Sequence, residues 1–248
     1  MSIHNNITPE SAECIKPALY LLPVTMSDGN PSQVLPAYNI DLFRNIKYFV
    51  VENVRTARRF LKKVDKSINI DELTFVELSE HTADADIPPM LAAVEDGHAV
   101  GVMSEAGCPA VADPGARLVD IAQQRGITVV PLVGPSSILM ALMGSGMNGQ
   151  NFTFNGYLPI DDHARDNALR NMATTIARHH ITQIFIETPY RNNRLMERII
   201  AVLPENIKLC VASDITGANQ SIITRRIREW KKIKYNYDKI PTIFVLGE

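Results

Sequence analysis

Short apolar runs alternate with amphipathic segments through the first half of the chain. Runs of this length, rich in branched residues, are typical of buried strands, and they occupy residues 18–23, 48–52, 73–78, 99–103 and 127–133. The spacing of apolar residues between these runs predicts helices over residues 36–46, 53–64, 87–96 and 114–125. Strands that alternate with helices predict a mostly parallel sheet with flanking helices.

The strand–helix–strand segment over residues 99–133 has the clearest ends. Asp113 can cap its helix, Pro114 fits the first helical position and Gly126 follows the last one. We expect a βαβ unit with a right-handed crossover, whose two strands lie side by side with their carboxyl ends together.

A bend that contains glycine and proline follows each of these two strands, over residues 104–109 and 134–137. Ligands of open α/β sheets bind outside the carboxyl ends of the strands, where glycine lets the backbone pass close to a ligand. The two bends therefore predict half of a ligand site, built mainly from main-chain groups. The alternative is that glycine and proline only end the strands, as they do in most α/β proteins.

The pattern changes after residue 137. A helix is predicted over residues 138–143, and residues 152–158 alternate as an antiparallel or half-buried strand does. Residues 163–179 predict a polar, exposed helix. Further strands are predicted at residues 183–187, 208–212, 221–227 and 242–246, and further helices at residues 190–202 and 229–234.

These patterns predict an α/β protein made of two α/β domains. Residues 18–133 form an N-terminal domain with a mostly parallel sheet, and residues 134–248 form a C-terminal domain with a mixed sheet. We expect the ligand cleft between the two domains, and we interpret residues 1–17 as a polar N-terminal tail.

Composition excludes several classes of protein. The 248 residues are 46% hydrophobic and 21% charged, which is ordinary for a soluble globular protein. The net charge of −2 provides no overall attraction to nucleic acid or to anionic membranes. Cys14, Cys108 and Cys210 are far apart, which argues against a metal site or a disulfide framework. We find no membrane-spanning run and no signal peptide, so a cytoplasmic location is expected.

Two basic stretches offer local positive charge. Residues 55–63 hold five basic side chains within one predicted helix, and residues 225–239 hold seven, interleaved with Trp230, Tyr235 and Tyr237. Either stretch can be an ordinary solvated face. The functional interpretation is an RNA surface that follows phosphates with cations and stacks bases on aromatic rings.

Several motifs taken together resemble a known family. They are SEAGCPAVADPGARLV at residues 104–119, VPLVGPSS at 130–137, GYLP at 156–159 and IFIETPYR at 184–191. These motifs resemble those of the ribosomal small-subunit RNA ribose (cytidine-2′-O) methyltransferases, which belong to the tetrapyrrole methylase superfamily. The resemblance covers roughly residues 18–248 and implies a methyltransferase that uses S-adenosylmethionine, acts on ribosomal RNA and forms a homodimer.

The resemblance also implies which residues contact the methyl donor. These residues are Pro23, Glu105, Ala106, Gly107, Pro109, Ser136, Ser137, Glu187, Thr188, Ile215 and Thr216. Small residues permit close approach, and hydroxyls with backbone amides can hold a ribose or a carboxylate. For Ser136 and Ser137 the structural alternative is that they cap the helix that follows.

The motifs on the acceptor side agree less well. The family's E-D-T-R motif is Glu52-Asn53-Val54-Arg55 in this chain, and its E-H-N motif is Glu80-His81-Thr82. The family's R-E-L-T-K segment corresponds to residues 212–217, which keep the threonine and lose both basic residues. The methyl donor is therefore better supported than the acceptor.

Methyl transfer from a sulfonium is an in-line displacement, which depends mainly on the positions of the reactants. A hydroxyl acceptor gains from a nearby proton acceptor, and the candidates are Glu52, Glu80, His81 and Glu187. Glu52 and His81 rank first as catalytic residues because they also match family motifs, and Arg55 and Glu80 are the expected substrate-binding residues. Two alternatives stay open: a methyltransferase for a small molecule such as a tetrapyrrole, and a non-catalytic module that binds S-adenosylmethionine.

Overall fold

The computed structural model of the chain describes residues 15–248 and divides them into two compact units. The first unit comprises residues 15–22, Pro36–Glu105 and Pro109–Leu132. The second unit comprises Pro23–Leu35, Ala106–Cys108 and Val133–Glu248. Two short segments that precede residue 133 therefore pack with the second unit. Most of the predicted N-terminal tail and Cys14 lie outside the described residues.

The first unit is built on a parallel five-stranded sheet, as predicted. Its order is β3-β2-β4-β1-β5, with β1 at Leu19–Leu21, β2 at Tyr48–Val51, β3 at Thr74–Glu77, β4 at Val100–Met103 and β5 at Val129–Pro131. The expectation that the strands near residues 100 and 130 lie side by side is wrong, because β1 lies between them. Leu19 pairs with Val100 on one side and with Val129 on the other. All five strands still end at the same edge, because every pairing is parallel.

Helices cover this sheet and complete the core of the first unit. They are α1 at Ala37–Asn45, α2 at Val54–Val64, α3 at Ala92–Glu95 and α4 at Gly115–Gln124. Leu91 and Leu118 are fully buried against apolar residues of β1, β2 and β4. The helix predicted over residues 87–96 consists of a 3₁₀ turn at Pro88–Leu91 followed by the single α-helical turn α3.

The second unit contains the predicted mixed sheet. Its order is β6-β7-β10-β8-β9, with β6 at Phe152–Tyr157, β7 at Thr182–Ile186, β8 at Lys208–Ser213, β9 at Ser221–Arg226 and β10 at Thr242–Gly247. The pair of β6 and β7 is parallel, and the other three pairs are antiparallel. The antiparallel alternative for β6 is therefore wrong, whereas its residues are half-buried or exposed, as the other alternative predicts.

Four helices belong to the second unit: α5 at Ser137–Ser145, α6 at Asp162–His179, α7 at Asn192–Val202 and α8 at Ile227–Trp230. The prediction that α6 is exposed is wrong for one of its faces. Leu169, Met172 and Ile176 recur at helical spacing and are buried in the core of the unit. The last predicted helix begins two residues earlier than expected and is a single turn.

Candidate functional site

Hydrogen bonds join four loops of the second unit that are far apart in sequence. The Val24 N–H donates to the Gly107 carbonyl over 2.9 Å, and the Cys108 thiol donates to the Pro135 carbonyl over 3.4 Å. The Ser27 hydroxyl donates to the Thr216 carbonyl over 2.9 Å. These contacts link loops that carry predicted donor-binding residues, namely Pro23, Ala106, Gly107, Ser136, Ser137, Ile215 and Thr216.

Two glycines make the close approach of these loops possible. Gly107 has a φ of +72°, and a Cβ there would lie 3.3 Å from the Pro135 carbonyl oxygen. A Cβ at Gly134 would overlap the ring of Pro23. Thr216 also adopts a left-handed φ of 67°, which is uncommon for a branched residue. Conformations of this kind concentrate at ligand sites.

Ser136 and Ser137 lie at the start of α5, as their structural alternative predicts. Ser136 is the N-cap, and its hydroxyl accepts from the Leu139 N–H at 3.5 Å. Ser137 is the first helical residue, where main-chain N–H groups have no partner inside the helix. The capping bond is made by the Ser136 hydroxyl and does not involve the Ser137 hydroxyl. A capping role for Ser136 is therefore compatible with a ligand role for Ser137.

Glu187 forms an ion pair inside the second unit. Its carboxylate is buried, and Oε1 accepts from Arg191 Nη2 at 2.6 Å, from Arg191 Nε at 2.9 Å and from the Thr188 N–H at 2.7 Å. These bonds compensate the burial of the charge. The Glu187 carboxylate therefore stabilises the turn from Glu187 to Arg191.

Glu52 occupies the carboxyl edge of the first unit's sheet, directly after β2. Its Oε2 accepts from the Glu105 N–H at 3.1 Å, so this side chain holds the beginning of the loop after β4. Burial raises the pKa of Glu52, and the carboxylates of Asp113, Glu105 and Glu80 raise it further against the opposing effect of the Glu105 N–H. A carboxylate with a raised pKa at the end of a strand is suited to accept a proton.

Asp113 organises the turn that leads into α4. Its carboxylate accepts from the Ala110 N–H at 2.9 Å and from the Gly115 N–H at 2.7 Å, and burial raises its pKa. The expected positions of Asp113 as the cap and Pro114 as the first helical residue are wrong by one residue, because α4 begins at Gly115 and Pro114 is the N-cap; the Asp113 carboxylate still accepts from the first helical N–H. A cavity of about 10 Å³ beside Asp113 and Glu52 is too small for a nucleoside.

The remaining acceptor-side candidates lie on the surface of the first unit. The side chains of Glu80 and His81 are 83% and 88% exposed, and their charged atoms lie 3.6 Å apart. Arg55 is exposed in the first turn of α2. Glu52 is therefore the only one of these four residues that is partly buried.

Local geometry explains two departures from the family motifs. Asn53 is the N-cap of α2, and its Oδ1 accepts from the Arg55 and Thr56 N–H groups at 3.0 and 3.2 Å. Asparagine and aspartate are about equally good at this position. Thr82 accepts from the Ser79 N–H at 3.0 Å and so closes the turn after β3.

The aromatic residues of the second basic stretch belong to the core. Trp230 is 1% exposed, and its indole N–H donates to the Leu209 carbonyl at 3.0 Å. Tyr237 is buried, and Tyr235 packs against it with ring centroids 6.2 Å apart. The interpretation of these rings as a platform for stacking bases is therefore wrong.

Sequence reasoning missed Val24, Ser27 and Cys108 as residues that join the loops of the second unit. The signal for Ser27 is weak, because its loop is rich in turn-forming residues and matches none of the family motifs quoted above. Within residues 15–248, no group of three or more histidine, cysteine or acidic side chains could hold a metal ion. No helix in that part of the chain is long and apolar enough to cross a bilayer.

Comparison with known proteins shows which family this chain resembles. Residues 41–231 match the family model for tetrapyrrole (corrin/porphyrin) methylases. The chain is 29% identical over 218 residues to ribosomal RNA small subunit methyltransferase I of Vibrio cholerae. The aligned region covers 88% of this chain and 70% of that relative. It is also 30% identical over 222 residues to the protein of that name from Micromonospora olivasterospora, and the aligned region covers 90% of this chain and 67% of that relative.

Solved structures share the fold at low sequence identity. The methyltransferase CobJ superposes with a TM-score of 0.61 at 15% identity, over 93% of this chain and 94% of that one. Uroporphyrin-III C-methyl transferase from Thermus thermophilus, complexed with S-adenyl homocysteine, superposes with a TM-score of 0.55 at 16% identity, over 93% and 97%.

The family model and the curated relatives identify this two-unit α/β protein as a methyltransferase. The family match then makes the assignment more particular. The chain belongs to the tetrapyrrole (corrin/porphyrin) methylase family.

Proposed function

We propose that this protein transfers the methyl group of S-adenosylmethionine to a ribose 2′-hydroxyl of ribosomal RNA. The donor is supported by one observation above all, the hydrogen-bonded linkage of the loops that carry Val24, Gly107, Pro135 and Thr216. The acceptor is supported by the curated relatives, which are ribosomal RNA methyltransferases by name and align with about nine-tenths of this chain. An RNA acceptor also supports the expected cytoplasmic location.

The residues present fit the proposed donor. A Cβ at Gly134 would overlap Pro23 and a Cβ at Gly107 would crowd the Pro135 carbonyl oxygen, so glycine at both positions lets these loops lie close together. In the second unit, Pro23, Ala106, Ser136, Ser137, Ile215 and Thr216 would hold the donor, and Glu105 and Pro109 flank Ala106–Cys108 in the chain. Glu187 and Thr188 would contribute main-chain groups. S-adenosylmethionine supplies an activated methyl group on a sulfonium, and the protein has to align it with the acceptor.

In this proposal Glu52 accepts the proton of the ribose hydroxyl. Its burial and its neighbouring carboxylates favour the protonated form, so it holds a proton more readily than an ordinary glutamate. His81 is the second candidate, and its exposure lets it move toward a bound RNA. Arg55 and Glu80 would contact the substrate close to these two residues.

The small-molecule alternative draws on the name of the family model and on solved structures that share 16% identity or less with this chain, whereas the curated relatives at about 30% identity are ribosomal RNA methyltransferases by name. The proposed function is tested by incubating the purified protein with labelled S-adenosylmethionine and ribosomal RNA from a strain that lacks the gene. The RNA is offered both deproteinised and as small subunits. We expect label in a 2′-O-methylated nucleoside of the RNA. Label in a small-molecule fraction, or donor binding without any transfer, would contradict the proposal.

We also propose that the protein is a homodimer. The α5 helix is apolar on nearly all sides, yet Leu139 and Met143 on it are 52% and 82% exposed. Exposed apolar faces of this kind are usually covered by a partner. Sedimentation of the purified protein is expected to give twice the chain mass of 27.6 kDa, and a mass of one chain at micromolar concentration would contradict the dimer.

A further inference from the structure

The outer face of α2 carries only positive charge. Its five basic side chains are all exposed and fall into two adjacent rows, Arg55, Arg59 and Lys63 in one and Arg58 and Lys62 in the other. They occupy an arc of about 140° around the helix, given 3.6 residues per turn. Ala57 and Leu61 are buried on the opposite side, and no acidic residue lies within Val54–Val64. We call this arc the basic face.

Neighbouring carboxylates leave the basic face largely unneutralised. Within residues 15–248, none of Arg55, Arg58, Arg59 and Lys62 forms an ion pair with a carboxylate. Asp65, the acidic residue at the end of α2, is bound by Arg44 Nε at 2.7 Å and by the Ser67 N–H. Lys62 donates to the Lys66 carbonyl, and Arg58 lies over the ring of Phe75 at 5.4 Å. The charges of Arg55, Arg58, Arg59 and Lys62 are therefore not neutralised by a carboxylate in this part of the chain and can act on a ligand.

The basic face begins at the proposed acceptor site. Asn53 caps α2 directly after Glu52, and the Thr56 hydroxyl donates to the Glu105 carboxylate. Glu105 in turn donates its N–H to Glu52. From Arg55 to Lys63 the helix then rises about 12 Å, at 1.5 Å per residue. A chain bound along this face would therefore run outward from the residue that we propose as proton acceptor.

We infer that the basic face of α2 binds the sugar–phosphate backbone of the RNA that is methylated. This inference rests on the proposed function and adds the surface that holds the acceptor. The net charge of −2 provides no general attraction, so the RNA needs a concentrated local field. The second basic stretch suits the role less well, because Trp230 and Tyr237 are buried and Lys231 is paired with Glu205 at 2.6 Å.

The test compares two variants that each lose three positive charges. One replaces Arg59, Lys62 and Lys63 by glutamine, and the control replaces the exposed Arg228, Lys232 and Lys234 by glutamine. Affinity for ribosomal RNA is measured by filter binding between 50 and 200 mM salt, beside methyl transfer, donor binding and thermal unfolding. Glutamine is compatible with a helix, so both variants are expected to unfold at the wild-type temperature and to bind S-adenosylmethionine normally.

We expect the α2 variant to bind RNA roughly 100-fold more weakly at 50 mM salt, with the difference narrowing to several-fold at 200 mM. The slope of log affinity against log salt should fall by about 2, since each contact to a single-strand phosphate adds about 0.7. The control should keep its affinity and slope. Equal affinity of the α2 variant and the wild type, or a larger loss in the control, would overturn the inference.

The two proposals can fail separately. If the wild-type protein methylates RNA and the α2 variant binds RNA as well as the wild type does, the RNA-binding role of the basic face is overturned and the proposed function is kept. Wild-type protein that binds RNA through α2 but transfers no methyl group to it would overturn the function and support the surface.

Discussion

Replacing Glu52 by glutamine is expected to slow methyl transfer to RNA by roughly 100-fold or more, in the range typical of a lost proton acceptor. Glutamine keeps an oxygen that can accept from the Glu105 N–H, so the loop after β4 should stay in place and affinity for S-adenosylmethionine should not change. The measurement is single-turnover transfer of label at saturating donor, with calorimetry for donor binding. Unchanged turnover would remove Glu52 from the proposed mechanism.

The pH dependence gives an independent check of the same residue. Because the folded-state pKa of Glu52 is raised, its protonated form is favoured by folding, and that stabilisation is lost as the pH rises through the folded-state pKa. E52Q should therefore be at least as stable as the wild type at neutral pH, with no advantage below about pH 4.3, the ordinary glutamate pKa. The rising limb of the pH–rate profile that Glu52 causes should disappear in E52Q. Glu77→Gln removes an exposed carboxylate of β3 and should change neither rate nor profile.

The Gly134→Ala substitution is expected to abolish measurable donor binding at concentrations that saturate the wild type. The added Cβ would overlap the ring of Pro23, so the loops must move apart. Overpacking of this kind costs about 1–3 kcal/mol of stability, which a domain of this size survives. Calorimetric titration with S-adenosylmethionine measures the loss of binding, and thermal unfolding measures the loss of stability.

Gly149→Ala is the matched control in the same unit. A Cβ at Gly149 would have only Leu142 as a neighbour, at 4.0 Å. This variant should bind the donor with wild-type affinity and unfold at the wild-type temperature. Wild-type donor affinity in Gly134→Ala would show that the donor does not use this group of loops.

The local pattern of the sequence predicted most elements of the fold closely. The predicted strand at residues 48–52 is β2 at Tyr48–Val51, and the basic helix predicted over 53–64 is α2 at Val54–Val64. These elements are predictable because an apolar run and a cap such as Asn53 act within a few residues of the backbone they organise. The motifs likewise indicated the family that the comparisons confirm.

The pairing of elements was harder to predict. The local sequence pattern does not indicate that β1 lies between β4 and β5. The neighbours of a strand come from distant parts of the chain, and a local pattern does not record them. The same holds for Trp230 and Tyr237, which look like exposed aromatics among lysines and arginines but fill the core of the second unit. Whether an aromatic ring faces water depends on what packs over it, and those residues come from distant parts of the chain.

By itself, the sequence determined the class of protein, through glycines and prolines whose backbone preferences are local and through motifs that recur in one family. Only the tertiary structure decided which of the candidate groups act together. It joined Ser27 to Thr216 across 189 positions of sequence, and it partly buried Glu52 beside other carboxylates while leaving the His81 side chain exposed. The physical reason is that desolvation and long-range hydrogen bonds depend on neighbours in space, whereas a sequence pattern records neighbours along the chain.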